Sequence, residues 1–161
     1  MTDREISFHI RGAAMEVYNT LGPGLLESIY HKALKHELED RGLSIASEMP
    51  VEVYYKGVLI EENAMRLDII VEDRVIVELK SIEALLPIHF KQLRTYLRLC
   101  NKELGWLINF GAYDFNDGLC PISLKEYKKD CKSLLLRLSG RAERVLAVAI
   151  YFGEPRVSEM N

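Results

Sequence analysis

The stretch RLDIIVEDRVIVELKS, Arg66 to Ser81, decides how this chain is read. Branched apolar residues dominate both halves, with Glu72-Asp73-Arg74 between them, so MRLDIIV and RVIVELK form two strands of a hairpin turned at those residues. Asp68, Glu78 and Lys80 interrupt the apolar pattern. Charged side chains are rarely fully buried unless they are paired or bind a metal. A turn centred on Asp73 sets Asp68 opposite Glu78 on one face, and Lys80, two residues beyond Glu78, points to that face as well. Like charges facing each other destabilise a hairpin, and a divalent cation between them reverses the sign. Oxygen ligands suit a hard cation such as Mg²⁺, which binds through one or two carboxylates and substrate phosphate oxygens. Lys80 would then stand beside the metal, placed to hold a phosphate or assist an attacking water. A register slip of one residue would send the carboxylates to opposite faces. The plainer alternative is an exposed polar face on which Lys80 neutralises the acids.

Working outward, VEVYYKGVLIEE (51–62) reads as a second hairpin with a tight turn at Lys56-Gly57. Upstream, Ile6, Ile10, Ala13, Val17 and Leu21 recur at helical spacing, giving a helix from Asp3 to about Thr20 that LGPG terminates. A second helix follows from about Leu26 to Arg41 and stops at Gly42. Glu27, Tyr30, His31, Leu34 and Leu38 fall on one face of it, so Glu27 projects along the apolar stripe. The dipole of the helix N-terminus accounts for the position of Glu27 along the helix but not for its face. The alternative is a role as third oxygen ligand or as acceptor for a metal-bound water.

Downstream, Pro87 precedes a helix from about Ile88 to Lys102, with Phe90, Leu93, Leu97, Cys100 and Leu104 as its apolar stripe. Gln92 and Tyr96 lie together at the stripe's edge, where they reach into a site at the sheet edge or hydrogen-bond locally. Lys91, Arg94, Arg98 and Lys102 occupy roughly the opposite face, a row able to meet a nucleic-acid backbone or simply the helix's solvated side. WLINF (106–110) is a short apolar strand. The order of two helices, three or four strands, a helix and a strand predicts an α/β (α+β) fold, a mixed sheet flanked by helices. Beyond it, 123–140 reads as a helix ending at Gly140, and RVLAVAIYF (144–152) as a strand or a buried helix.

The chain has 161 residues, 48% hydrophobic and 28% charged, which suits one globular domain with a real core. Its formal charge of -3 gives no global positive field, so a polyanion would need a local basic patch. The start, MTDREISFHI, lacks the features of a signal peptide, and the longest apolar run, VLAVAIYF, is far short of a membrane span. A cytoplasmic protein without membrane attachment is expected. Cys100, Cys120 and Cys131 are odd in number and widely spaced, so they give no disulfide framework, zinc signature or four-cysteine cluster, and read as small apolar residues.

Together these residues resemble a known pattern. GLLESIY, Gly24 to Tyr30, is similar to the signature of the bacterial and archaeal GxxExxY proteins of the PD-(D/E)XK nuclease superfamily. Leu67-Asp68 stands where the superfamily has PD, Glu78-Leu79-Lys80 is similar to its (D/E)XK, and QLRTY, Gln92 to Tyr96, resembles the Gln-x-x-x-Tyr of the following helix. The resemblance spans about residues 6 to 125. It implies a restriction-endonuclease-like domain over 1–125. The C-terminal extension, 126–161, is longer than that pattern requires and reads as packed on the same domain, as a lid facing the substrate, as an element of homodimerisation or as an extension without a role. It implies cleavage of phosphodiester bonds in DNA or RNA with Mg²⁺ or Mn²⁺. Glu27, Asp68 and Glu78 would bind the metal, with the Leu79 carbonyl as a further ligand. Lys80 would orient or activate water and stabilise developing charge, and Gln92 and Tyr96 would support the metal or a substrate phosphate. Leu67 replaces the motif's proline.

Fold alone does not establish activity. Two other readings stand beside the nuclease: a catalytically inactive module of the same fold that binds nucleic acid or a protein partner, and a hairpin with no site at all.

Overall fold

The structure, a computed structural model, describes residues 1–127 and 129. Residues Met1–Ile122 form one compact unit. Two helices, α1 (Asp3–Leu21) and α2 (Glu27–Asp40), precede three strands, β1 (Ile45–Tyr55), β2 (Val58–Val71) and β3 (Val75–Lys80). Helix α3 (Pro87–Leu99) then leads to β4 (Leu104–Asn109) and β5 (Leu119–Ser123). The strands make one sheet in the order β1-β2-β3-β4-β5, antiparallel from β1 to β3 and parallel between β3 and β4. This is the mixed sheet flanked by helices that the sequence predicts.

The period-two alternation divides each central strand between two faces. Ile69 and Val71 of β2, Val75, Val77 and Leu79 of β3, and Trp106 and Ile108 of β4 pack with Ile6, Ile10 and Val17 of α1 and Tyr30, Leu34 and Leu38 of α2. The other face meets α3. Ile76 lies beside Gly105 in the β3–β4 register, and a Cβ on Gly105 would come within 2.9 Å of the Leu93 side chain. The glycine is what lets α3 approach the sheet there. With both faces covered, β3 is buried along almost its whole length, which explains its unbroken apolar reading.

The hairpin register is the expected one. Ile69 pairs with Val77, Ile70 with Ile76 and Val71 with Val75. Glu72 and Asp73 take positive φ of 54° and 49°, and the Arg74 amide donates to the Val71 carbonyl. In the first hairpin Tyr55 pairs with Val58, and Lys56 and Gly57 both have positive φ, as a two-residue turn of this kind requires.

Three differences from the sequence reading have physical causes. Residues 58–62 and 65–71, read as separate strands, run on as one strand, β2, and β5 adds a strand after β4. The outer half of β2 is exposed on both faces, so no alternation marks its course. Helix α3 ends at Leu99 rather than near Lys102 because Asn101 adopts φ 51° and the Lys102 amide turns back to the Leu97 carbonyl at 2.9 Å. Glycine at 42 ends α2 by the same device, with the Leu43 amide on the Leu38 carbonyl.

Cys100 and Cys120 are free and half-buried. No described helix is long and apolar enough to cross a membrane. The predicted helix over 123–140, the segment 144–152, Cys131 and nearly all of the extension 126–161 lie outside the described residues.

Candidate active site

Glu27 is carried to the sheet by the loop before α2. Gly24 takes φ 100°, a conformation L side chains rarely adopt. The buried Tyr30 ring stacks on Phe110 with centroids 4.5 Å apart. Its hydroxyl donates to the Gly22 carbonyl at 2.6 Å and accepts from the Leu25 amide at 3.1 Å. Ser81, directly after β3, donates its hydroxyl to the Leu25 carbonyl at 2.7 Å. The first residue of α2 is therefore pinned beside the end of the strand that carries Glu78 and Lys80. The spacing of glycine, glutamate and tyrosine in GLLESIY has a structural reason: the tyrosine ties down the loop whose far end presents the glutamate.

Asp68 sits where β2 and β3 part. Their ladder ends at Ile69 and Val77. Beyond it the Leu79 amide finds no strand carbonyl, and the Asp68 carboxylate accepts its N–H at 2.7 Å instead. On the α2 side, Nε2 of His31 donates to the Asp68 carbonyl at 3.0 Å, which requires the proton on that nitrogen. Backbone and side chain of Asp68 are thus held from opposite directions.

Glu78 is 2% exposed. Lys80 donates from Nζ to Glu78 Oε1 at 2.7 Å and to the Leu79 carbonyl at 2.8 Å. The second oxygen of Glu78, Oε2, is buried and has no hydrogen-bond partner among the described residues. Burial, reinforced by the charge of Asp68, pushes the Glu78 carboxyl up to about 7, against the opposing pull of Lys80. For Lys80, burial opposes the charge, but the hydrogen bond to Glu78 and the field of Glu78, Glu27 and Asp68 outweigh it and raise its pKa above the ordinary lysine value. Tyr96 is buried and accepts from Gln92 Nε2 at 2.8 Å. Burial lifts its phenol above the usual range, the Gln92 hydrogen bond opposes this, and the charges of Glu78 and Asp68 add to the rise.

The structure therefore brings Asp68, Glu78, Leu79, Lys80 and Tyr96 to one place, with Gln92 linked through Tyr96. Glu27 differs from its expected setting. It is exposed, although Tyr30, Leu34 and Leu38 on the same stripe are buried, because it caps the stripe at the helix end where the sheet no longer covers it. Its charge is felt at Glu78 and Lys80, but no hydrogen bond ties it to them. Among the described residues no three His, Cys, Asp or Glu side chains converge closely enough to hold an ion as they stand. Asp68 is turned onto the Leu79 amide and Glu78 onto Lys80. The donor set nevertheless suits a hard cation: it offers carboxylate oxygens and one backbone carbonyl, and the orphaned Glu78 Oε2 lacks the partner a cation would provide.

Two positioning residues escape a reading by motif. His31 lies one helical turn from Glu27, and that spacing was the available signal. Asn109 is buried beside Lys80 in the β3–β4 register, and its amide bonds both the N–H and the carbonyl of Ile82, fixing the loop that leaves β3. Nothing local marks it, since its partner is 27 residues away.

Comparison with curated proteins gives no match, and neither does comparison with solved structures. A sequence model of the PD-(D/E)XK nuclease superfamily matches residues 4–120, the span that holds Glu27, Asp68, Glu78, Lys80, Gln92 and Tyr96. The chain belongs to the PD-(D/E)XK nuclease superfamily.

Proposed function

We propose that this protein hydrolyses phosphodiester bonds of DNA or RNA with the help of Mg²⁺ or Mn²⁺, as the PD-(D/E)XK nuclease superfamily to which it belongs suggests. The observation that carries the reading is the buried Glu78 carboxyl, beside Asp68 and Lys80, with one oxygen unpartnered. Asp68, Glu78 and the Leu79 carbonyl would hold the cation, with Glu27 at its outer side. When bound, the ion supplies Lewis acidity toward a phosphate oxygen and eases deprotonation of water. Glu78 must be ionised to serve as a ligand, so its raised pKa makes metal binding release a proton and grow stronger as pH rises. Lys80, its pKa raised, remains an ammonium at neutral pH. It is therefore placed to act on phosphate oxygens as a cation. Tyr96, held by Gln92, adds a neutral hydroxyl donor facing the same charges.

The test is incubation with single- and double-stranded DNA and RNA in Mg²⁺ or Mn²⁺. Wild type is expected to cleave at least one of these, and Lys80→Ala to lose at least ~100-fold in rate, as removal of a positioned charge-stabilising group does. Equal absence of cleavage by wild type and variant would sink the reading for those substrates. The engaged state of Asp68 and the exposure of Glu27 favour one competitor, a non-catalytic module of the same fold. Such a module has no need of a metal, so a Mn²⁺ binding isotherm that Asp68→Ala abolishes counts against it.

A further inference from the structure

A cleft of about 390 Å³ opens beside this site, between α2 and the β1–β2 hairpin. Glu27, Glu48 and Asp68 line it, and so do Lys32, Lys35 and Arg66. The cations are unusually free. Lys32 and Arg66 make no ion pair or hydrogen bond among the described residues, and Lys35 reaches Glu39 only at 3.9 Å. Lys32 and Arg66 stay unpaired among the described residues although carboxylates line the same cleft, so their positive charge is available to an incoming anion.

Arg66 precedes Asp68 by two residues on β2, about 6.6 Å along the strand. Lys32 and Lys35 follow Glu27 by five and eight positions, roughly 8 and 12 Å along the helix axis. His31 of α2 meets the Asp68 carbonyl, and Ser44, beyond α2, meets Glu72 at the end of β2, so α2 runs in the same sense as β2. Arg66 and the two lysines therefore lie to either side of Asp68 along the cleft. The lining has no Phe, Tyr or Trp to stack a base and no Asn or Gln to pair with an adenine edge. His31 has its Nε2 committed to the Asp68 carbonyl.

The geometry points to this cleft as the track for the nucleic-acid backbone past the bond to be cleaved. Arg66 grips phosphate on one side of Asp68, and Lys32 and Lys35 on the other, without reading sequence. This inference rests on the nuclease reading and deepens it. It also places the grip on α2 and β2, not on the basic row of α3, where Lys102 is already tied to Asp73 at 2.8 Å and Arg98 is bonded to Thr95.

The experiment is fluorescence anisotropy of the full chain with short labelled oligonucleotides of several unrelated sequences, single-stranded and duplex. It is done in EDTA so that binding is read apart from cleavage. Arg66→Ala and the double variant Lys32→Ala/Lys35→Ala are expected to weaken binding several-fold on every sequence. For every phosphate that a variant no longer grips, the slope of log affinity against log salt should fall by about 0.7 to 0.9. Lys91→Ala, on the exposed side of α3, is expected to bind as wild type. The inference is overturned if the cleft variants keep wild-type affinity and salt slope, if Lys91→Ala/Arg98→Ala carries the loss instead, or if wild type binds none of the oligonucleotides. Mn²⁺ titration of the same variants separates local from general damage. A retained isotherm with weakened oligonucleotide binding supports the track, whereas loss of both overturns it. Cleft variants that bind and cleave like wild type remove the track and leave the nuclease reading standing.

Discussion

At Glu78 a carboxyl is buried with one oxygen on Lys80 and the other on nothing among the described residues. Burial raises its pKa from 4.5 to about 7, so the folded protein holds this proton over a range where the unfolded chain has released it. Between those values the folded state binds more protons than the unfolded state, and stability falls as pH rises. The contribution is fully present below about 4.5 and is lost as pH climbs through about 7. Urea denaturation in EDTA at pH 5 and pH 8, compared between wild type and Glu78→Gln, isolates it. The variant, which cannot ionise, is expected to lack a pH-dependent loss on the order of 2 to 3 kcal/mol that wild type shows. Parallel pH profiles for the two proteins would mean that Glu78 ionises freely in the fold. In wild type the raised pKa of Lys80 keeps it charged throughout that window.

Helix α2 acts on the site through its N-terminus, and the Tyr30 hydroxyl holds that end in place by bonding Gly22 and Leu25. Tyr30→Phe keeps the ring on Phe110 and removes only those bonds. It is expected to cost about 1 to 3 kcal/mol in urea denaturation, with an unchanged far-ultraviolet spectrum, because both backbone partners lose a satisfied bond. It should also weaken Mn²⁺ binding in calorimetry although it removes no ligand. An unchanged isotherm would show that Glu27 does not need the loop to be held. The same element shows where sequence was and was not enough. The apolar stripe of Tyr30, Leu34 and Leu38 was legible because burial imposes a period. The exposure of Glu27 was not, since the stripe's periodicity says nothing about where the sheet beneath it ends. The β2–β3 register was legible from a turn centred on Asp73, yet the parting of the strands after Ile69 was not. Asp68 and Glu78 therefore do not face each other across a ladder, and Asp68 instead caps the Leu79 amide. Of the residues that act through distant backbone, His31 shows in the spacing of α2 while its partner does not, and Asn109 leaves no periodic trace at all.

At the scale of the whole molecule, the clustered carboxylates around the buried Glu78 oppose the fold, and an ion would convert that opposition into stabilisation. Asp68, Glu78 and Glu27 place negative charge around a rigid sheet that cannot separate them. A ligand that binds the folded state alone stabilises it by RT ln(1 + [L]/Kd), about 2.7 kcal/mol at a hundredfold excess over Kd. For a chain of this size that corresponds to a rise in melting temperature of roughly 5 to 10 °C. Thermal denaturation with increasing Mg²⁺ or Mn²⁺ should show this rise for wild type and none for Asp68→Ala. The pH dependence distinguishes a site built on Glu78 from ions gathered loosely by an acidic surface. Because the Glu78 proton must leave before the oxygen can bind, the rise at a given metal concentration should be larger at pH 8 than at pH 6. Glu78→Gln should abolish the difference between the two pH values. A metal-induced rise of the same size at both, or one that survives in Asp68→Ala, would place the ions elsewhere on the protein and remove the carboxylate site from the mechanism.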